Sequence, residues 1–155
     1  MRVGMVGITA LYWPFAIGGK LRTYKGVEFL GATTLGIDES IIKETIGITS
    51  EEFAERHGVR LYDTPEEMID KERLDTVSII TRHTEHAEWA ERMAKLGMNI
   101  HIPKTFATTL ADAERIIQAQ KKYGVKIAVG PSGRFLPQFV SAKNAIYSDD
   151  IGKPF

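Results

Sequence analysis

The first residues whose types and spacing could do chemistry are Gly7, Thr9 and Tyr12, which follow the apolar run at the start of the chain. They stand at the three positions of the Gly-x-Gly-x-x-Gly fingerprint of dinucleotide-binding proteins, but only the first is glycine. A Cβ at the other two positions restricts positive φ angles and keeps the backbone away from a phosphate. The pattern leaves two interpretations open: a turn that no longer binds a dinucleotide, or one in which the Thr9 hydroxyl contacts the phosphate.

If this turn binds a dinucleotide, its contacts come from consecutive residues in front of a predicted helix. Pro14 is favourable in the first turn of a helix, and backbone amides at a helix N-terminus bind phosphates. We therefore predict that the Thr9 hydroxyl and the nearby amides hold the pyrophosphate. The predicted cofactor contacts in this segment are Gly7, Ile8, Thr9, Ala10 and Leu11.

A second group of reactive side chains follows the apolar segment Thr76 to Thr81, and it consists of Arg82, His83, Glu85 and His86. Two histidines and a carboxylate are ligands that Zn²⁺ accepts, but no further ligand stands at a defined spacing, so we predict no metal site. The Arg82 side chain could bind a phosphate or a carboxylate, and it could equally be a solvated arginine of a loop. The chain has no cysteine, which excludes disulfides, thiolate ligands and thiol nucleophiles.

An alternation of strands and helices has to position these side chains. Apolar, β-branched segments predict strands over residues 2–7, 27–34, 59–62, 76–81, 99–102 and 125–129. Capping residues and terminal glycines predict helices over residues 14–25, 38–47, 49–58, 65–71, 84–96, 109–124 and 136–147. This order predicts an α/β fold of the Rossmann type, a doubly wound, mainly parallel sheet with helices on both faces. Ligands of such sheets bind beyond the carboxyl ends of the strands.

The composition limits the classes of function. The chain has 155 residues, enough for one domain, and 43% of them are hydrophobic. Its 20 basic and 20 acidic residues cancel, so we expect no binding to nucleic acid or to an anionic membrane. No segment approaches the roughly twenty apolar residues of a membrane span, and we expect a cytoplasmic protein.

The segment from Asp75 to Phe139 resembles the nucleotide-binding domain of the glucose-fructose oxidoreductase, inositol dehydrogenase and MocA family. That family has a strand ending in Thr-Pro, a histidine that opens a helix, a strand leading to Glu-Lys-Pro, a Val-Gly strand and an Arg-Phe-x-Pro segment. The residues that match these landmarks are Thr81, His86, Lys104, Val129-Gly130 and Arg134-Phe135-Leu136-Pro137. The order and spacing of these landmarks carry the resemblance, which extends over essentially the whole chain.

The resemblance implies that Lys104 is the catalytic residue, near the nicotinamide and the substrate hydroxyl, and that it also contacts the cofactor. A lysine in that place is expected to be desolvated, which favours its neutral form. Pro103 and Thr105 replace the Glu and Pro that flank the family's lysine. Thr81, Arg82, His86 and Arg134 are further implied cofactor contacts.

The choice between NAD and NADP stays open in the sequence. Thr34 ends the second strand, where NAD-preferring Rossmann domains carry an acidic residue that binds both ribose hydroxyls. Without that carboxylate a 2′-phosphate is not repelled. No arginine follows directly to bind one, and Asp38 lies four residues further on.

The resemblance implies that residues 1–150 form an NAD(P)-binding domain and that residues 151–155 begin the link to a second domain, which carries most of the substrate pocket. The whole protein would transfer hydride between nicotinamide and a hydroxyl-bearing carbon of a sugar, polyol or related molecule, and the fragment alone would be inactive. Association of subunits is expected through the second domain. Phe135, Phe139 and Phe155 would form an exposed apolar surface. The alternative is a non-catalytic ligand-sensing or assembly module that has lost dinucleotide binding.

Overall fold

The computed structural model describes residues 1–130 and 132–152, in which strands and helices alternate as the sequence predicts. The strands are β1 (Arg2–Val6), β2 (Glu28–Thr33), β3 (Arg60–Tyr62), β4 (Thr76–Ile79), β5 (Asn99–Pro103) and β6 (Ile127–Gly130). The helices are α1 (Trp13–Leu21), α2 (Glu39–Ile46), α3 (Ser50–His57), α4 (Pro65–Glu72), α5 (His86–Lys95), α6 (Leu110–Tyr123) and α7 (Pro137–Tyr147). Short 3₁₀ turns over His83–Glu85 and Ser132–Phe135 precede α5 and α7.

The six strands form one parallel sheet in the order β3-β2-β1-β4-β5-β6. This is the strand order of a Rossmann domain and confirms the predicted fold class. The chain moves outward from β1 to β3 in one direction and from β4 to β6 in the other. The loops that follow β1 and β4 therefore diverge, and the crevice between them is the expected place for a ligand.

Side-chain caps explain where most of the helices begin. The Asp38 carboxylate accepts the Ser40 amide at the start of α2, and Thr49 forms a capping box with Glu52 at the start of α3. Helix α1, which begins at the crevice after β1, has no side-chain cap at its N-terminus, and neither has α5, which begins there after β4.

One boundary prediction is wrong. Helix α1 ends about one turn earlier than predicted, because the Thr23 hydroxyl donates to the Lys20 carbonyl at 2.8 Å and the chain turns there. On α6, the side chain of Ile117 is 44% exposed. The side chains of α6 that face the sheet are Ile116 and Ala119.

Helices lie on both faces of the sheet, as predicted, although they cover one face only in part. Helices α1, α2 and α3 cover one face, and their core includes Met5, Ile8, Phe29, Ile42 and Phe53. Helices α4, α5 and α6 cover the other face, with a core that includes Met68, Val77, Met93, Ile100 and Ile116. This packing fixes the strand ends, and with them the walls of the crevice.

The first of these faces is open over β4, β5 and β6. A groove of about 840 Å³ runs there between α1 and the three strands. On its floor, the Ser78 hydroxyl and His101 Nδ1 form a hydrogen bond of 2.8 Å. Burial lowers the pKa of His101 below the usual value for histidine.

Helix α7 buries none of its side chains. Phe135 in the preceding turn is 74% exposed, and Phe139 is 56% exposed. Both lie on the apolar surface on which the sequence places them, and the third predicted residue, Phe155, lies outside the described residues. In the described part of the chain, no helix is both long and apolar enough to cross a membrane.

Candidate functional site

Gly7 forms the bottom of the crevice, and its conformation requires glycine. Its φ angle is +81°, and a Cβ built on it would lie 2.8 Å from Thr81 Cγ2 and 2.9 Å from the Ile80 carbonyl oxygen. Its amide donates to Thr33 Oγ1 at 3.1 Å. The end of β1 is therefore clamped between the ends of β2 and β4, so the chain turns tightly away from the sheet.

The backbone that follows Gly7 presents unused amides to the crevice. Among the described residues, the amides of Thr9, Ala10, Leu11 and Tyr12 donate to no protein oxygen, and the next amide, that of Trp13, donates to the Ala10 carbonyl at 3.1 Å. These amides stand in front of α1, where the helix dipole favours an anion. The turn therefore fits a pyrophosphate, although only one of its three fingerprint positions is glycine.

The side chains of this turn differ in what they can contribute. Ile8 is fully buried in the core, so its side chain cannot contact a ligand. Thr9 and Ala10 are half-buried, and Leu11 is exposed with a φ of +52°. Tyr12 is exposed and stacks on Trp13, with 4.9 Å between the ring centroids.

Lys104 follows β5 and reaches back across the crevice. Its Nζ lies 5.4 Å from the centroid of the Trp13 ring, within the range of a cation–π contact. The predicted desolvation of this lysine is wrong for the described chain, because Lys104 and Thr105 are both exposed while Pro103 is buried. The peptide bond between Lys104 and Thr105 is cis.

His86 is buried beneath the loop that carries Lys104, so its side chain does not line the crevice. It is 1% exposed, and its Nδ1–H donates to the Thr105 carbonyl over 2.7 Å. Burial is the main cause that lowers the pKa of His86, so the ring is neutral at pH 7 and its Nδ1 carries the proton. His86 therefore ties the start of α5 to the loop that carries Lys104. Thr81 is also buried, with its methyl group against Gly7.

Two of the charged residues before α5, Arg82 and Glu85, close the 3₁₀ turn that precedes this helix. The Glu85 carboxylate accepts the Arg82 amide at 3.2 Å, which closes the 3₁₀ turn. The Arg82 side chain is exposed beside the crevice, where it is free to meet an anion. Within the described residues, no three His, Asp or Glu side chains lie close enough to hold a metal ion.

The end of β2 offers no free carboxylate to a ribose. Thr34 is half-buried, and its carbonyl accepts the Ile37 amide at 3.2 Å. Asp38, the acidic residue of this loop, caps α2, and hydrogen bonds from the Ser40 hydroxyl and amide lower its pKa. The Asp38 carboxylate is thus committed to the helix.

Arg134 lies furthest from the glycine turn. It follows the edge strand β6, three strands away from β1, which is about 14 Å across a sheet. Its guanidinium carbon lies 5.8 Å from the Phe135 ring. The structure therefore brings Gly7, Thr9, Thr81 and Lys104 to one crevice and leaves Arg134 at its outer end. The Trp13 ring under Lys104 was not predicted, although Tyr-Trp-Pro at a helix start was a visible signal.

Comparison with known proteins gives this site a context. Residues 41–131 match the family model GFO_IDH_MocA, described as an oxidoreductase family with an NAD-binding Rossmann fold. Myo-inositol 2-dehydrogenase from Thermotoga maritima is 30% identical over 122 residues, which are 76% of this chain and 36% of that protein. D-apiose dehydrogenase from Paraburkholderia graminis is 34% identical over 96 residues, 62% of this chain and 26% of that protein. The chain thus spans about a third of the length of these curated relatives.

Solved structures show the same fold. An oxidoreductase from Agrobacterium radiobacter, solved in complex with NAD⁺, L-tartaric acid and magnesium, superposes with a TM-score of 0.79 at 19% identity. The match covers 100% of this chain and 42% of that chain.

Proposed function

This chain belongs to the glucose-fructose oxidoreductase, inositol dehydrogenase and MocA family, and from that premise we propose that it is the dinucleotide-binding domain of an NAD(P)-dependent dehydrogenase. The whole enzyme would transfer hydride between nicotinamide and a hydroxyl-bearing carbon. The relatives named for myo-inositol and D-apiose support a polyol or a sugar as the class of substrate. Because the chain spans about a third of those relatives, we assign residues 1–150 to the cofactor domain, residues 151–155 to the start of the connection, and the substrate pocket to a second domain.

The observation that carries this proposal is the turn after β1. Gly7 has the positive φ angle that a phosphate turn requires, and the amides of Thr9, Ala10, Leu11 and Tyr12 have no protein acceptor among the described residues. In the proposed complex these amides and the Thr9 hydroxyl hold the pyrophosphate. When bound, the dinucleotide supplies the hydride donor or acceptor.

We assign the transfer of the proton to Lys104. Its ammonium group projects over the crevice from the end of β5, next to the turn that holds the phosphates. It donates a hydrogen bond to the substrate oxygen at the carbon that exchanges hydride, and it passes a proton to or from that oxygen as the C–O bond order changes. Thr81 and His86 contribute by fixing the backbone around it.

The loop after β2 does not select between the two cofactors. Its one carboxylate, that of Asp38, is held by Ser40, and the loop contains no arginine. We therefore propose that both NAD(H) and NADP(H) are admitted, with contacts elsewhere setting the ratio of their affinities.

Calorimetric titration with NADH and with NADPH tests the proposal. We expect dissociation constants in the micromolar range. Thr9→Glu puts a carboxylate beside the unused amides and should weaken binding by about tenfold or more. Thr23→Glu is the control for added charge away from the turn, because it puts the same carboxylate at an exposed position at the other end of α1; it also removes the hydrogen bond from Thr23 to the Lys20 carbonyl.

A second candidate function is a non-catalytic Rossmann module. The observation that favours it is the side-chain content of the turn, in which Thr9 and Tyr12 occupy positions that phosphate-binding turns give to glycine. The same titration separates the two candidates. Absence of binding at millimolar NADH and NADPH, repeated with the full-length protein, would support the module and refute the dehydrogenase.

A further inference from the structure

The contact between Lys104 and Trp13 crosses the crevice. Trp13 is the first residue of α1, after β1, and Lys104 directly follows β5. Strand β4 lies between β1 and β5, so the contact spans about 10 Å of sheet above the end of β4. The ammonium group is thereby held over the part of the crevice that lies next to the glycine turn.

Neighbouring residues hold the backbone of both Trp13 and Lys104 in place. Trp13 is half-buried, packs against the core under α1 and stacks with Tyr12. Lys104 is flanked by Pro103, which is buried, and by Thr105, whose carbonyl accepts the hydrogen bond from His86. A lysine on a free surface samples many rotamers, whereas this one has a defined target at 5.4 Å.

The ring takes the place in which a carboxylate would otherwise be expected. Among the described residues, the ion pairs within 4.0 Å do not include Lys104, and the residue before it is Pro103 rather than an acidic residue. An indole face attracts an ammonium group without accepting a hydrogen bond in a fixed direction. The three N–H donors of Lys104 therefore stay available for an oxygen of a substrate or a cofactor.

We propose that Trp13 is a positioning residue for Lys104, and that its indole face holds the ammonium group over the crevice in place of a carboxylate. This inference rests on the proposed function, in which Lys104 contacts the cofactor and the substrate oxygen. The contact itself is a property of this chain alone, so it can be tested without either.

The contact is tested by the NMR resonances of the Lys104 side chain. The ring current of Trp13 should shift the Lys104 ε-methylene protons upfield of those of the exposed Lys126. Trp13→Leu should return them to the position of an exposed lysine, and Trp13→Phe should keep a smaller upfield shift. Trp89→Phe, which changes the other tryptophan of the chain, should leave them unchanged. Lys104 protons at the exposed position in the unchanged chain would refute the proposal.

The positioning role is tested by a double-mutant cycle on NADH affinity. Trp13→Leu should weaken NADH binding by about twofold to fivefold, and Lys104→Met by about tenfold. In the Lys104→Met background, Trp13→Leu should cause no further loss, because Trp13 acts through Lys104. Additive losses would overturn the positioning role. If the unchanged chain binds neither NADH nor NADPH, the proposed function fails, while the NMR measurement still decides whether Trp13 holds Lys104.

Discussion

The two walls of the crevice are built in different ways. The wall after β1 consists of backbone: a glycine at φ +81° followed by amides without protein acceptors. The wall after β4 and β5 consists of side chains: buried His86 holds the Thr105 carbonyl, and Lys104 projects beside it. One wall offers N–H groups that every residue except proline carries, whereas the other depends on particular side chains.

This difference explains where the sequence departs from the dinucleotide fingerprint. An amide can bind a phosphate whatever side chain its residue carries, so Thr9 and Tyr12 leave the amides of the first wall in place. Gly7 is the exception, because a Cβ there would meet Ile80 and Thr81. The comparison therefore predicts one indispensable glycine in the first wall and an indispensable histidine support in the second.

The largest effect is expected from Gly7→Ala. A non-glycine residue at this φ angle costs about 1–2 kcal/mol, and the Cβ would meet a backbone carbonyl at 2.9 Å. We expect the free energy of unfolding, measured by urea denaturation, to fall by about 3 kcal/mol. The effect on NADH affinity should be equally clear, since the turn cannot keep its shape.

Substitutions at two other glycines separate the cost of the positive φ angle from the cost of the close packing. Gly36→Ala has a φ of +69° but open space around it, so it should cost only the conformational part, about 1 kcal/mol. Gly19→Ala, within α1 and also in open space, should be neutral or stabilising. If Gly7→Ala lowered the free energy of unfolding no more than Gly36→Ala, the close packing around Gly7 would not contribute to stability.

The second wall is tested by His86→Ala. This change removes the partner of the Thr105 carbonyl and leaves a cavity beside β4, so we expect a loss of about 2 kcal/mol in the free energy of unfolding. The same change at exposed His83, three residues earlier, should cost less than about 0.5 kcal/mol. An equal effect of the two substitutions would mean that His86 does not support the loop.

Acid should destabilise the folded chain through the buried histidines behind the two walls. His57 lies behind α1 among Phe15, Phe29 and Phe53, and neither of its ring nitrogens has a partner among the described residues. Burial lowers the pKa of His57 most, with smaller contributions from Arg22 and Arg56, and burial lowers that of His86 as well. For such groups the unfolded chain takes up the proton first, so stability is complete above about pH 6.5 and decreases as the pH falls below it.

We expect the free energy of unfolding to fall by up to about 1.4 kcal/mol per pH unit for each histidine that stays neutral in the folded chain. His57→Phe removes two unpaired polar atoms and one of these protonation sites. Urea denaturation between pH 7.5 and 5 should therefore show a shallower decrease for His57→Phe than for the unchanged chain. Parallel pH profiles would contradict a neutral, buried His57.

The sequence predicts the fold well because its signals are local and repeated. Thr49, Thr64 and Thr109 cap helices where the motifs predict, and the alternation of strands and helices leads directly to the observed parallel sheet. The exposure of Lys104 and the burial of His86 were harder to predict, because they depend on contacts between residues that are distant in the chain. The distance from Trp13 to Lys104 is 91 residues in sequence but 5.4 Å in space.

The smallest effect, and the sharpest test of the backbone wall, is expected from Thr9→Gly. If the amides hold the phosphates, loss of the hydroxyl removes one hydrogen bond and should weaken NADH binding by only about threefold to fivefold. Thr9→Ser keeps the hydroxyl and should bind as the unchanged chain does. Calorimetry decides the sign: tighter binding by Thr9→Gly would show that the Cβ obstructs the phosphate more than the hydroxyl helps, which would make the turn a degraded site rather than an adapted one.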